Sequence, residues 1–130
     1  MKKIMKILVK MSDSELHSLY QYLGGKMIPP EMRSDLYVSL MNEVIGLNIK
    51  DRSRRRDVVW GRYIVIHELL LDGWSSTKVG YVFGMNHSSV SHASAQVSMM
   101  LDMPRMYSME YDIYRKFKSY IYNEELRLES

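Results

Sequence analysis

Residues 75–101, SSTKVGYVFGMNHSSVSHASAQVSMML, decide the fold. They read as a short helix, a tight turn and a second helix. Ser75 or Ser76 caps the first helix, which carries Val79, Val82 and Phe83 as its apolar face. Gly84 supplies the left-handed residue that closes a helix. Two residues later, Asn86 stands where a side-chain oxygen can accept from the free amides of a new helix running to about Leu101. In that helix Val90, Ala93, Val97 and Met100 or Leu101 recur at spacings of three and four, which defines a core face. The opposite side shows Ser88, Ser91, Ala95 and Ser98, and no acidic residue occurs from Ser88 to Ser98. Serine and histidine are not strong helix formers, so a helix opening on His87, Ser88 and Ser89 either only finishes its cap with the serines or aims its polar groups at a target. Short side chains let its backbone approach a nucleic acid closely. Its unpaired amides and positive dipole end favour phosphate, and the imidazole and hydroxyls can bond to base edges. The pair has the helix-turn-helix layout, whose second helix enters the major groove.

Outward from this pair the chain reads as helical throughout. Ser12 to Glu15 form a capping box that opens a helix to about Leu23, with Leu16, Leu19, Tyr20 and Leu23 as its stripe and Gly24-Gly25 as its end. Residues 4–9 before it fit a short strand as well as an extension of that helix. Pro29-Pro30 start a second helix lined by Leu36, Leu40, Val44 and Leu47. A polar connection, Gly46 to Ser53, leads into a long helix from about Arg54 to Leu71 that is apolar nearly all round and is predicted to be the buried central helix. Beyond Pro104, a last helix from about Ser108 to Leu126 carries Tyr111, Tyr114, Phe117 and Ile121 as a stripe. The expected fold is an all-α, multi-helix domain. Its parts are an N-terminal helical extension (1–50), a helix-turn-helix domain (51–103) and a Tyr-rich helix (104–130) that packs on the domain or forms a dimer surface.

Charge is uneven. The formal net charge is only +3, but Arg52, Arg54, Arg55, Arg56 and Arg62 crowd one region while Glu124, Glu125 and Glu129 gather near the end. One dense basic patch on a nearly neutral chain suits contact with a polyanion through one face. The chain has no cysteine, which excludes disulfides and thiolate metal sites and fits a reducing cytoplasm. No apolar run reaches the length of a membrane span. MKKIMKILVKM, at the start, is interrupted by Lys6 and Lys10 and lacks a small-residue cleavage site, so it reads as mature cytoplasmic protein rather than as a signal peptide.

FGMNHSSVSHA, residues 83–93, resembles the signature of the C-terminal DNA-binding domain of the bacterial replication initiator DnaA. In that family a phenylalanine-glycine turn leads to an acidic cap, then His, two threonines, Val, a variable residue, His and Ala. Val79-Gly80 and the basic run leading into an apolar helix also look like that domain, so the likeness spans about Arg52 to Leu101. It implies a Trp-repressor-like helix-turn-helix that binds double-stranded DNA in replication initiation or transcriptional control. By the same resemblance, His87, Ser88 and Ser89 meet bases and phosphates, with Ser91 and His92 one turn further along the same helix and Asn86 in place of the acidic cap. Arg54, Arg55 and Arg56 fall in the family's basic loop, Arg62 matches a basic position on the central helix, and Lys78 faces phosphate. This turn is one residue shorter than the family's, and the arginine before the cap is missing. Serines replace the threonines, whose methyl can pack on thymine, so the family's target sequence does not carry over.

Other signals point away from catalysis. Gly24-Gly25-Lys26 lacks the spacing of a phosphate loop, with Tyr20 and Met27 at the places where glycine and Ser or Thr belong, so no ATP binding is expected. His87 and His92 are about 140° apart on a helix and cannot ligate one metal together. His67 lies within the apolar central helix and reads as a core histidine with a satisfied ring. No nucleophile elbow and no catalytic carboxylate pair occur. The expectation is a non-enzymatic protein with no cofactor and no metal. Its partner is duplex DNA, with a homodimer as a further partner and no membrane. A protein-interaction adaptor that keeps the fold without touching DNA is the rival reading.

Overall fold

The structure, a computed structural model, describes residues 30–129. The predicted capping-box helix, the 4–9 segment and the Gly24-Gly25 turn lie outside the described residues. Among the described residues there are five α-helices and no strand. They are α1 (Pro30–Ile45), α2 (Arg56–Leu71), α3 (Ser76–Phe83), α4 (His87–Asp102) and α5 (Ser108–Glu129). No helix of the described residues is long and apolar enough to cross a membrane.

The centre is α2, as its all-round apolar sequence requires. Val58, Trp60, Ile64, Val65, Ile66 and Leu69 are buried, and α1, α4 and α5 all pack against it. Burial also takes in two polar residues of α2, His67 and Glu68, and such groups need partners. The His67 ring reaches Ser94 Oγ of α4 at 3.0 Å, and Lys118 of α5 donates to both carboxylate oxygens of Glu68 at 3.2 Å. The end of α2 is tied to α1, where Tyr37 donates to Asp72 at 2.7 Å and Arg33 pairs with the same carboxylate at 2.7 Å. Leu71 departs from the all-round burial and is 67% exposed, because α2 stops there and Gly73 turns the chain away with φ 96°.

One apolar cluster runs through the division at residue 50 drawn from the sequence. Leu36, Leu40, Met41 and Ile49 are buried in the same core as Ile64, Val90, Val97 and Phe117. The described part of the expected N-terminal extension is thus a wall of the domain. Leu47 misses the core, since α1 ends at Ile45 and Gly46 takes a left-handed φ of 81°. The last helix packs on the domain through Phe117 and Ile121, with Phe117 edge-on to Tyr37 at 5.7 Å between ring centroids.

The α3–α4 pair forms as its caps dictate. Ser75 accepts from the Lys78 amide at 3.1 Å, Gly84 closes α3 with φ 65°, and Asn86 accepts from the Ser89 amide at 2.8 Å. The Met85 amide then donates to the Gly80 carbonyl at 2.8 Å. This folds the turn so tightly over α3 that a Cβ on residue 80 would lie 2.2 Å from the Met85 carbonyl oxygen. Backbone cannot yield as a flexible side chain does. Gly80→Ala is expected to cost about 2 kcal/mol or more, at the upper end of overpacking penalties, read as a lowered thermal midpoint. A melt unchanged from the parent would show that the turn accommodates a methyl group.

Candidate nucleic-acid interface

The inward side of α4 is Val90, Ala93, Val97 and Met100, all buried. Its outward side is Ser88, Ser91, His92, Ala95 and Ser98, all exposed, with His87 exposed at the first position. Leu101, the alternative to Met100, is half-buried. Ser89 is also half-buried, with its amide engaged by the cap. No acidic residue stands in the first turn of α4, and the first acid met along the helix is Asp102 at its end. The outer face of α4 is therefore narrow, polar and free of negative charge, and its amino end is positive.

Two contacts fix α4 on α2. The His92 ring meets Tyr63 edge-on, with 6.3 Å between centroids. On the other side, Ser94 bonds the buried His67 ring. His67 is a satisfied core histidine, as its setting in α2 predicts, but the spacing of α4 gave no hint that Ser94 would be its partner.

The arginines divide into groups that the sequence merges. Arg62 is the correction. Its guanidinium does not point at solvent but donates to the carbonyls of Ile49 (3.1 Å), Asp51 and Ser53 (2.8 Å). Half-burial lowers its pKa from the ordinary arginine value. It is a clamp on the connection between α1 and α2, because the unpaired loop carbonyls there need a donor within reach. The same loop is fixed at its other side by Ile49, whose amide donates to Asn42 Oδ1 at 2.8 Å. Arg55 is paired with Asp57 at 3.1 Å, and Arg56 with Glu110 of α5. Arg52 and Arg54 are exposed, and neither side chain has a hydrogen bond or ion pair among the described residues. Lys78, also exposed, lies over the Trp74 ring with its Nζ 4.2 Å from the centroid.

Arg62 and Tyr63 are consecutive on α2. The first grips the loop that carries Arg52 and Arg54, and the second touches His92 on the outward side of α4. One turn of the central helix thus fixes both the basic loop and the slim helix.

The basic cluster stands where helix electrostatics oppose it. Arg54 and Arg55 precede the amino end of α2 and Arg56 is its first residue, next to the positive end of the dipole. Only Asp57 in that first turn has the favoured sign. Cations so placed do not serve the stability of α2.

Glu110 was missed at the level of sequence, although a signal for it exists. Glu110, Tyr114, Phe117, Ile121 and Glu124 share one helical register, so the stripe read from its aromatic residues has an acid at each end. Both acids are buried, Glu110 against Arg56 and Glu124 against Arg127. Among the described residues no group of His, Cys, Asp and Glu could hold a metal ion.

These features define an all-α domain with a paired-helix motif and an adjoining basic loop. Compared with protein-family models, with curated proteins and with solved structures, the chain matches none of them.

The buried imidazole gives this interface a pH signature. Burial lowers the His67 pKa from its ordinary 6.5, with Glu68 pulling it up and Lys118 pushing it down. The folded protein thus resists protonation more than the unfolded chain does. The resulting stability is complete above about 6.5 and is lost as pH falls from there through the folded value. Denaturant midpoints are expected to drop between about pH 7 and pH 5, with a shallower drop in His67→Gln. Equal slopes in the two proteins would refute the assignment.

Proposed function

We propose that this protein binds double-stranded DNA without catalysing a reaction, presenting the outer face of α4 to the major groove and its arginine loop to the backbone. The observation that carries this reading is the pairing of an acid-free helix face, opened by His87 and Ser88, with exposed arginines seated against the dipole of α2. A polyanion offsets that unfavourable placement, and among the described residues Arg52 and Arg54 have no side-chain hydrogen bond or ion pair that accounts for it. Arg52 and Arg54 neutralise phosphates, with Arg56 and Lys78 beside them. His87, Ser88, Ser91 and His92 line the groove, and Asn86 holds the helix start. The resemblance to the initiator's C-terminal domain supports the same reading, and the role proposed with it is replication-initiation or transcriptional control in the cytoplasm.

A second reading, the protein-interaction adaptor, has one observation in its favour. Met99, Met103, Met106 and Met109 are all exposed around the turn from α4 to α5, and methionine-rich surfaces suit adaptable protein contacts.

The test is titration of a labelled duplex at several salt concentrations. With roughly four phosphates contacted, log affinity should fall against log salt with a slope of about −3 to −4. Replacing Arg52 and Arg54 together with alanine should weaken binding to every duplex and flatten the slope by about two. Ser88→Ala should change the preference among duplexes selected from a random pool while leaving the salt slope alone. Failure to retard any duplex at low salt would favour the adaptor.

A further inference from the structure

We infer that Glu110, on α5 and outside the stretch that resembles the initiator domain, is a positioning residue that aims Arg56 at a DNA phosphate; this rests on the DNA-binding reading above.

The pair is lopsided. The Glu110 side chain is only 2% exposed, while that of Arg56 is 65% exposed. The acid is part of the interior and the base projects from it. Glu110 engages Arg56 through Nε alone, and among the described residues neither Nη makes a hydrogen bond. A guanidinium has five N–H donors in a rigid fork. With Nε fixed from behind, the four on the two Nη atoms remain for an oxyanion, the geometry in which arginine grips phosphate through two parallel bonds. Arg55, the neighbouring base, has its own carboxylate in Asp57 and does not compete for Glu110.

Docking α5 against α2 does not explain the pair. Lys118 of α5 already holds Glu68 of α2 at 3.2 Å, and Tyr107, just before α5, packs on Trp60 with ring centroids 5.7 Å apart. Replacing a buried ion pair by apolar groups is often neutral or stabilising. Nor does the pair serve α2, since Arg56 stands at the positive end of that helix. Glu110, by contrast, sits in the first turn of α5, where the dipole favours a carboxylate, so the anchor is set firmly.

Coulomb attraction alone and positioning make opposite statements. Glu110 is a negative charge beside a polyanion site, and by charge alone its removal tightens DNA binding. If it orients Arg56, its removal weakens binding although the protein becomes more positive.

The experiment titrates a labelled duplex of mixed sequence with the full chain and with Glu110→Leu, Glu110→Gln, Arg56→Ala and the Glu110→Leu/Arg56→Ala double variant, with circular dichroism and thermal melts confirming the fold. Glu110→Leu should bind roughly tenfold more weakly at low salt, as Arg56→Ala does. Its salt slope should be flatter by about one, and the double variant should be no weaker than Arg56→Ala alone. Glu110→Gln keeps an acceptor and should fall between the parent and Glu110→Leu. If Glu110→Leu does not fold, Glu110→Gln decides, by binding more weakly than the parent. Tighter or unchanged binding by the folded Glu110 variants, with the parent binding normally, overturns this inference alone. A parent that binds no duplex overturns the DNA-binding reading as well.

Discussion

A central helix must find a partner for each polar side chain it buries, and α2 buries two. His67 looks to Ser94 and Glu68 to Lys118, so the helix that supplies most of the core also dictates where α4 and α5 lie. Apolar packing alone would tolerate some sliding and rotation of the surrounding helices. A ring nitrogen 3.0 Å from a hydroxyl and an ammonium bridging two carboxylate oxygens tolerate little. The orientation of α4, and with it the row from His87 to Ser98, follows from what α2 needs to bury.

Local chemistry was the most legible part of the sequence. Ser75, Gly84 and Asn86 act on residues within their own turn, and each does what its position predicts. The inward residues of α4 were equally plain, because a period of three and four decides burial without knowledge of the neighbour. Reading failed where a side chain acts across the fold. Arg62 looked like one more member of a basic cluster, yet its partners are carbonyls up to thirteen residues earlier in the chain. No periodicity marks backbone groups left open by a loop. The division at residue 50 failed for a related reason: a polar connection looked like a boundary, whereas Ile49 within it is a fully buried plug.

The candidate site shows the same split. The narrow face of α4 could be drawn from one helical wheel. The sorting of the arginines could not, because it depends on Asp57 and Glu110 and on the Ile49–Ser53 carbonyls, which come from three different elements. Charge density in a sequence therefore overstates the number of cations that a surface offers. Here a run of neighbours becomes a clamp, two paired bases and two exposed ones, each state set by geometry rather than by composition.

The grip of Arg62 on its loop also bears on how the chain meets a protease. Four arginines between Arg52 and Arg56 make this the densest set of trypsin-sensitive bonds in the described residues, and a long surface connection is ordinarily where such enzymes cut first. To thread an active site, though, the segment has to surrender three carbonyl contacts, withdraw Ile49 from the interior and release Asn42. Nicking here thus demands a local opening of the α1–α2 corner, and the most cleavable-looking stretch becomes one of the better guarded.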